Sequence, residues 1–271
     1  NKAMYSPMLN HEGGILDDLI VYYLGNESFR IVSNCATREK NLSWLSKIAE
    51  PFDVGVDFKS DYSILALQGP NSYKFIKSHI EKDISKFSVH NTDDVMIAST
   101  GYTGELGYEI ICDQEKGIKF WNEFISNDVQ PIGLAARDTL RLEAGLNLYG
   151  TDMDETNTPY DSNIGWTIDF NHKDRDFIGK NAPEEKKDSK KILKGFYTEE
   201  RGVLRGGAEV IFEGGSGVVT SGTWSPTFKK NIGFCRVDKN CGEIGSAVLR
   251  DKKITLKFSN TNFLESLKKD V

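Results

Sequence analysis

Short apolar runs closed off by Gly, Pro, Asn and Asp recur along the chain, with windows of helical spacing between them. Residues 4–9, 18–24 and 29–33 read as three strands, joined by turns at Gly13-Gly14 and at Gly25-Asn26-Glu27. Thr37 fits the N-cap of a helix over 38–50, with Leu42, Leu45, Ile48 and Ala49 on one face and Pro51 ending it. Residues 54–58 and 62–68 are strand-like, and a turn at Gln68-Gly69-Pro70-Asn71 leads to a second helix over 71–81. A strand over 95–99 runs through Gly101, Gly104 and Gly107 into another apolar run. Helices over 115–126 and 133–145 follow, the second closed by Gly145. A polar loop over 150–165 and a short strand over 166–170 come next. Lysines mixed with acids between 171 and 194 read as a solvated helix and linker. Beyond Gly195, short strands at 209–212, 217–223, 232–237, 246–250 and 254–258 are spaced as in a small barrel. The pattern is mixed helix and strand up to a domain boundary between about 171 and 194, and all-β beyond it.

Length supports that division: 271 residues suffice for two or three packed units. Hydrophobic residues make up 38% and charged residues 27%, ordinary for a globular chain. With 34 basic against 40 acidic residues the formal net charge is −6, which argues against nucleic acid as the main partner. No apolar stretch approaches the ~20 residues of a membrane helix, so no membrane association is expected. The chain opens on Asn1 without a basic-then-apolar leader. Its four cysteines lack CxxC spacing, and its four histidines form no HExxH or HxH set. Neither a zinc site nor a disulfide framework is indicated, and a reducing, intracellular compartment is expected.

Candidate chemistry concentrates in three stretches. Two adjacent carboxylates, Asp17 and Asp18, stand where the glycine turn enters an Ile- and Val-rich strand. Strand alternation puts Asp18, Ile20 and Tyr22 on one face and Asp17, Leu19 and Val21 on the other. A carboxylate beside an aromatic on a buried face needs a partner or a task, although a turn-capping Asp fits the same residues. The second stretch, Thr100 to Ile111, has glycine spacing that invites a dinucleotide reading. That reading needs a helix after the glycines, and Tyr108-Glu109-Ile110-Ile111 is a strand instead. The third holds Arg137 and Arg141, four apart on one helix face. They form either an anion clamp or a solvated face answered by Asp138 and Glu143. The acid-rich 150–165 loop lacks the ligand spacing of a calcium hand.

Taken together, several stretches resemble the glycine cleavage system T protein family. They are Tyr5-Ser6-Pro7-Met8-Leu9-Asn10, Gly13-Gly14-Ile15-Leu16-Asp17-Asp18-Leu19, Gly101-Tyr102-Thr103-Gly104-Glu105 and Ala136-Arg137-Asp138-Thr139-Leu140-Arg141-Leu142-Glu143-Ala144-Gly145. Asn147-Leu148-Tyr149-Gly150, Asp152-Met153-Asp154-Glu155 and Thr220-Ser221-Gly222-Thr223-Trp224-Ser225-Pro226-Thr227 extend the match, which runs in order from about residue 4 to 237. The family's usual segment before the Tyr-Ser-x-Met-Leu stretch is not found ahead of Tyr5. The resemblance implies an aminomethyltransferase and an α+β, three-domain cloverleaf around a central folate channel, with one lobe over 1–60, a second over 61–190 that includes the linker, and a C-terminal all-β barrel over 191–271. The implied substrates are an aminomethyl group on the dihydrolipoyl arm of H protein and tetrahydrofolate, giving methylenetetrahydrofolate and ammonia. A monomer is expected, in the cytoplasm of a bacterium or the mitochondrial matrix of a eukaryote. By position, Asp18 matches the catalytic carboxylate, Glu109 the carboxylate that meets the pterin donors, and Arg137 a folate contact. Tyr5, Tyr22, Asn34 and Tyr102 match channel-lining positions. Other branches of the same superfamily act on sulfonium compounds, or bind folate in iron–sulfur maintenance. The second branch carries a cysteine in the stretch where this chain has Thr100-Gly101-Tyr102-Thr103-Gly104-Glu105. Folate domains of sarcosine-type oxidases form another branch and accompany a flavin domain that this sequence lacks.

Overall fold

The computed structural model describes residues 2–92, 94–171, 174–181 and 189–267. The chain divides into two compact units, one built from the residues up to Ser6 with Asp17–Gly133, the other from Pro7–Leu16 with Leu134 onward.

In the first unit, β1 (Lys2–Leu9), β2 (Ile15–Gly25) and β3 (Ser28–Ser33) form a three-stranded sheet in that order. The β2–β3 hairpin runs antiparallel from Leu19–Ser33 to Gly25–Ser28. Its turn, Gly25-Asn26-Glu27, is left-handed throughout, as a tight hairpin requires. Asp17 and Asp18 therefore lie inside β2 and not in the turn that precedes it. Helix α1 (Arg38–Ala49) follows as expected, but the Thr37 hydroxyl does not cap it. A second sheet, of β4 (Tyr62–Gln68), β5 (Val89–Asn91), β6 (Val95–Ala98) and β7 (Gly107–Asp113), has the antiparallel order β4-β7-β6-β5. Both of its faces are covered, which explains the near-continuous apolar runs of β6 and β7. One face packs Met96, Ala98 and Ile111 with Ala3 and Tyr22. The other packs Ile97, Ile110 and Cys112 with Ile76 and Phe124 from helices α2 (Ser72–Ile76) and α3 (Gln114–Ser126). Asp113 caps α3 by accepting from the Lys116 amide at 2.8 Å.

In the second unit, helix α4 (Leu134–Glu143) ends where Gly145 turns left-handed and the Leu146 amide reaches back to the Arg141 carbonyl. The barrel is closed, in the order β10-β11-β8-β13-β12-β9. Its strands are β8 (Lys191–Thr198), β9 (Glu209–Phe212), β10 (Gly215–Ser225), β11 (Lys230–Asp238), β12 (Ile244–Leu249) and β13 (Lys252–Ser259). The last described helix is α5 (Phe263–Ser266). Phe196, Val210, Val219, Val237 and Leu256 fill the barrel interior, and Leu142 of α4 joins Phe234 and Phe263 in a separate cluster.

Four sequence expectations are corrected. Residues 54–58 form no strand: their alternating Val54, Val56 and Phe58 have no pairing partner among the described residues and stay exposed. Residues Gly165–Thr167 make a 3-10 turn where a strand over 166–170 was expected. The second helix is shorter than 71–81 and tightens to 3-10 at Lys77–His79. Residues 191–194, placed in the lysine-rich linker stretch, begin β8, where Lys191 is exposed and Lys194 half-buried while Leu193, Gly195 and Phe196 are buried. Part of the expected 171–194 helix and linker lies outside the described residues. No described helix is long and apolar enough to cross a membrane.

Candidate active site

The side chain of Asp17 is fully buried and surrounded by donors. It accepts from the Asp18 amide at 3.0 Å, the Asn34 amide at 3.3 Å, Asn34 Nδ2 at 2.7 Å and Thr37 Oγ1 at 2.7 Å, and also from Asn41 Nδ2. This is a carboxylate spent on structure: it ties the end of β3 and the start of α1 to β2. The same Asn34 Nδ2 donates to Asp18 Oδ1 at 2.8 Å, so both protons of one amide go to the two neighbouring acids. Two acceptors on that side fix which way the amide faces. Tyr5 OH donates to Asp18 Oδ2 at 3.0 Å.

Asp18 is thus half-buried, with one donor on each oxygen. Burial holds its carboxyl above the usual range, although Asn34 and Tyr5 both favour the charged form and pull it back down. Tyr5 is pushed well above an ordinary phenol, first by burial and then by the Asp18 charge, with Tyr102 near enough to add to the push. The Tyr5 phenol is therefore a donor to Asp18 and stays protonated.

Farther along the same face of β2, burial pushes the Tyr22 phenol up to about 12. Its OH lies 3.3 Å from Thr100 Oγ1, which donates to Glu109 Oε2 at 2.5 Å. That is the one hydrogen bond the Glu109 carboxylate takes from the described residues. Asp18 and Tyr22 are four residues apart on an extended strand, roughly 13 Å. The first unit therefore holds two separate carboxylates, Asp18 and Glu109, with the Tyr5 phenol on the first and the Tyr22 phenol reaching the second through Thr100.

Six of the seven sequence candidates, Tyr5, Asp18, Tyr22, Asn34, Tyr102 and Glu109, fall in this first unit. Hydrogen bonds join Tyr5, Asp18 and Asn34 in one cluster and Tyr22 and Glu109, through Thr100, in another. Arg137 lies in the second unit, exposed on the first turn of α4. Arg141 is no anion clamp. It is 1% exposed and donates to Asp138 at 2.8 Å, Asp152 at 2.6 Å and Ser221 at 2.9 Å. Sequence reasoning gave no place in the site to Thr100 or Asn41, and to Thr37 only that of a helix cap. For the last two a signal was present: Asn34, Thr37 and Asn41 recur at helical spacing as a polar stripe beside Leu42 and Leu45.

A family model of the GCVT N-terminal domain matches residues 1–172, and one of the glycine cleavage T-protein C-terminal barrel domain matches 191–264. The chain belongs to the glycine cleavage T-protein family. A solved relative is the glycine cleavage system aminomethyltransferase T from Bartonella henselae, 31% identical. It superposes at a TM-score of 0.92 over 97% of this chain and 76% of its own. The family assignment agrees with the α+β fold and with the closed six-stranded barrel described above.

Proposed function

We propose that this protein is a tetrahydrofolate-dependent aminomethyltransferase that takes its one-carbon unit from the aminomethyl-dihydrolipoyl arm of a lipoylated H protein. The observation that carries the reading is the Asp18 carboxylate, held between Asn34 and Tyr5 on the face of β2 that also bears Tyr22. Family membership and the aminomethyltransferase relative support it. The donor set suits a folate. A pterin shows a ring N–H beside an exocyclic amine, and the acceptor capacity left on Glu109 matches that pair. Tyr102 offers a flat surface to a flat ring, whereas Tyr22, expected to line the channel, is fully buried and acts through its phenol beside Thr100. By family match Arg137, exposed on α4, is a further folate contact.

The overall change forms two bonds from the methylene carbon to folate nitrogens and breaks its bonds to the amine and to the dihydrolipoyl sulfur. Two protons leave the nitrogens and end on ammonia and on the thiol. Asp18 orients the attacking N–H by accepting from it and stabilises the positive charge that develops as the new bond forms. Tyr5 and Asn34 fix the rotamer of that carboxylate, so the geometry costs nothing to assemble at the moment of reaction. The test supplies the protein with aminomethylated H protein and tetrahydrofolate and measures ammonia and methylenetetrahydrofolate. Stoichiometric release of both is expected; turnover with a sulfonium donor and none with H protein would overturn the proposal.

A further inference from the structure

Gly101 and Gly107 do not cradle a phosphate, and the structure gives them another reason to be glycine. In the β4–β7 pairing Gln68 stands opposite Gly107, and residues directly opposite one another project to the same face. A Cβ on Gly107 would lie 2.4 Å from the Gln68 amide, and one on Gly101 would lie 1.9 Å from its Oε1. The Gln68 side chain thus lies across both glycines, in the space a Cβ would take. There its Nε2 donates to the Thr100 carbonyl at 3.2 Å and the Tyr108 carbonyl at 3.3 Å, and its Oε1 accepts from Thr103 Oγ1 at 3.2 Å.

Those partners sit on two limbs that the sheet itself leaves unjoined. The β6–β7 register runs from Val95–Cys112 to Ala98–Glu109 and goes no further. Thr100 lies on one limb beyond that end, and Tyr108 precedes Glu109 on the other. One side-chain amide bonded to both carbonyls replaces the missing rungs and sets the spacing at which the Thr100 hydroxyl meets Glu109 at 2.5 Å. We infer that Gln68 is a positioning residue for ligand recognition at Glu109, acting through the Thr100 and Tyr108 backbone. The inference rests on the proposed function, in which Glu109 meets the pterin end of tetrahydrofolate.

A double-variant cycle tests it. Gln68→Met keeps the length of the side chain and loses all three hydrogen bonds. Tetrahydrofolate is titrated by calorimetry into wild type, Gln68→Met, Glu109→Gln and the double variant. Gln68→Met should weaken binding about tenfold, the scale of one lost net hydrogen bond. In the Glu109→Gln background the further loss should be under about threefold, because a positioning effect disappears with the group it positions. Wild-type affinity in Gln68→Met, or a full further tenfold loss in the double variant, overturns the inference alone. Wild-type affinity in Glu109→Gln overturns the pterin assignment and the inference with it. Should Gln68→Met not fold, Thr103→Val carries the test: it removes the donor that orients the Gln68 amide. Weaker binding in Thr103→Val that Thr103→Ser restores supports the inference, and unchanged binding in Thr103→Val overturns it.

Discussion

Asp17 and Asp18 are neighbours of identical chemistry with opposite employment, and their surroundings make the difference. Asp17 is closed in by donors, and its charge is answered on the spot. Asp17→Asn puts an amide among N–H and O–H groups that all point inward, so it should cost about 2–4 kcal/mol of stability, read by denaturant titration. Asp18 keeps a raised carboxyl pKa because burial outweighs two donors. An acid whose folded value lies above its unfolded value of about 4 contributes most to stability at low pH and loses that contribution as pH rises through the folded value. Asp18→Asn should therefore melt progressively higher than wild type as pH is raised from acid to neutral, while turnover drops about 10²-fold or more. A melting difference that stays flat with pH would show that burial does not govern this carboxyl. Alternation along the strand was enough to separate the two acids by face. The hub that Asp17 makes with Asn34, Thr37 and Asn41 joins residues up to 24 positions apart, and only the packed β2–β3–α1 corner brings them together.

Helix α4 shows the same division at the scale of an element. Its first turn leaves Arg137 exposed, and its last turn buries Arg141 against Asp152, whose other oxygen takes the Thr220 and Ser221 hydroxyls at 2.5 and 2.7 Å. Arg141→Leu strands the Asp152 charge and should destabilise by about 3–5 kcal/mol. Arg137→Ala should leave the melting temperature within a degree or two, as exposed substitutions do, and weaken tetrahydrofolate binding in the same titration. Helical period placed both arginines on one side of α4. It could not say which end is buried, since that depends on strand β10 arriving 80 residues later. The barrel strands from 209 onward were legible because glycine turns punctuate them. Strand β8 was not, because Lys191 and Lys194 resemble a solvated linker, although every residue of the strand pairs with β11 and Leu193 and Phe196 pack. The alternating 54–58 segment erred the other way: period alone makes no strand without a neighbour to bond.

At the scale of the whole molecule, β1 and β2 each pass from one compact unit into the other without a break in the strand. A unit that unfolds must fray strands its companion still uses, so calorimetry should record one transition and not two. Asp17→Asn in the first unit and Arg141→Leu in the second should lower that same transition; a variant that split it into two peaks would argue against shared strands as the coupling. The loop at residues 7–16 carries a further consequence for synthesis. Gly14 lies against the Glu155 carbonyl so closely that a Cβ would stand 1.9 Å from it, and the Ile15 amide bonds the Asn157 carbonyl at 3.1 Å. On the ribosome this loop emerges well before its partners, which follow some 140 residues later. At a typical elongation rate it waits on the order of ten seconds, exposed, with its strands already able to pair. The glycine turn is therefore made before its seat exists, and a chaperone that holds nascent chains has that interval in which to meet it.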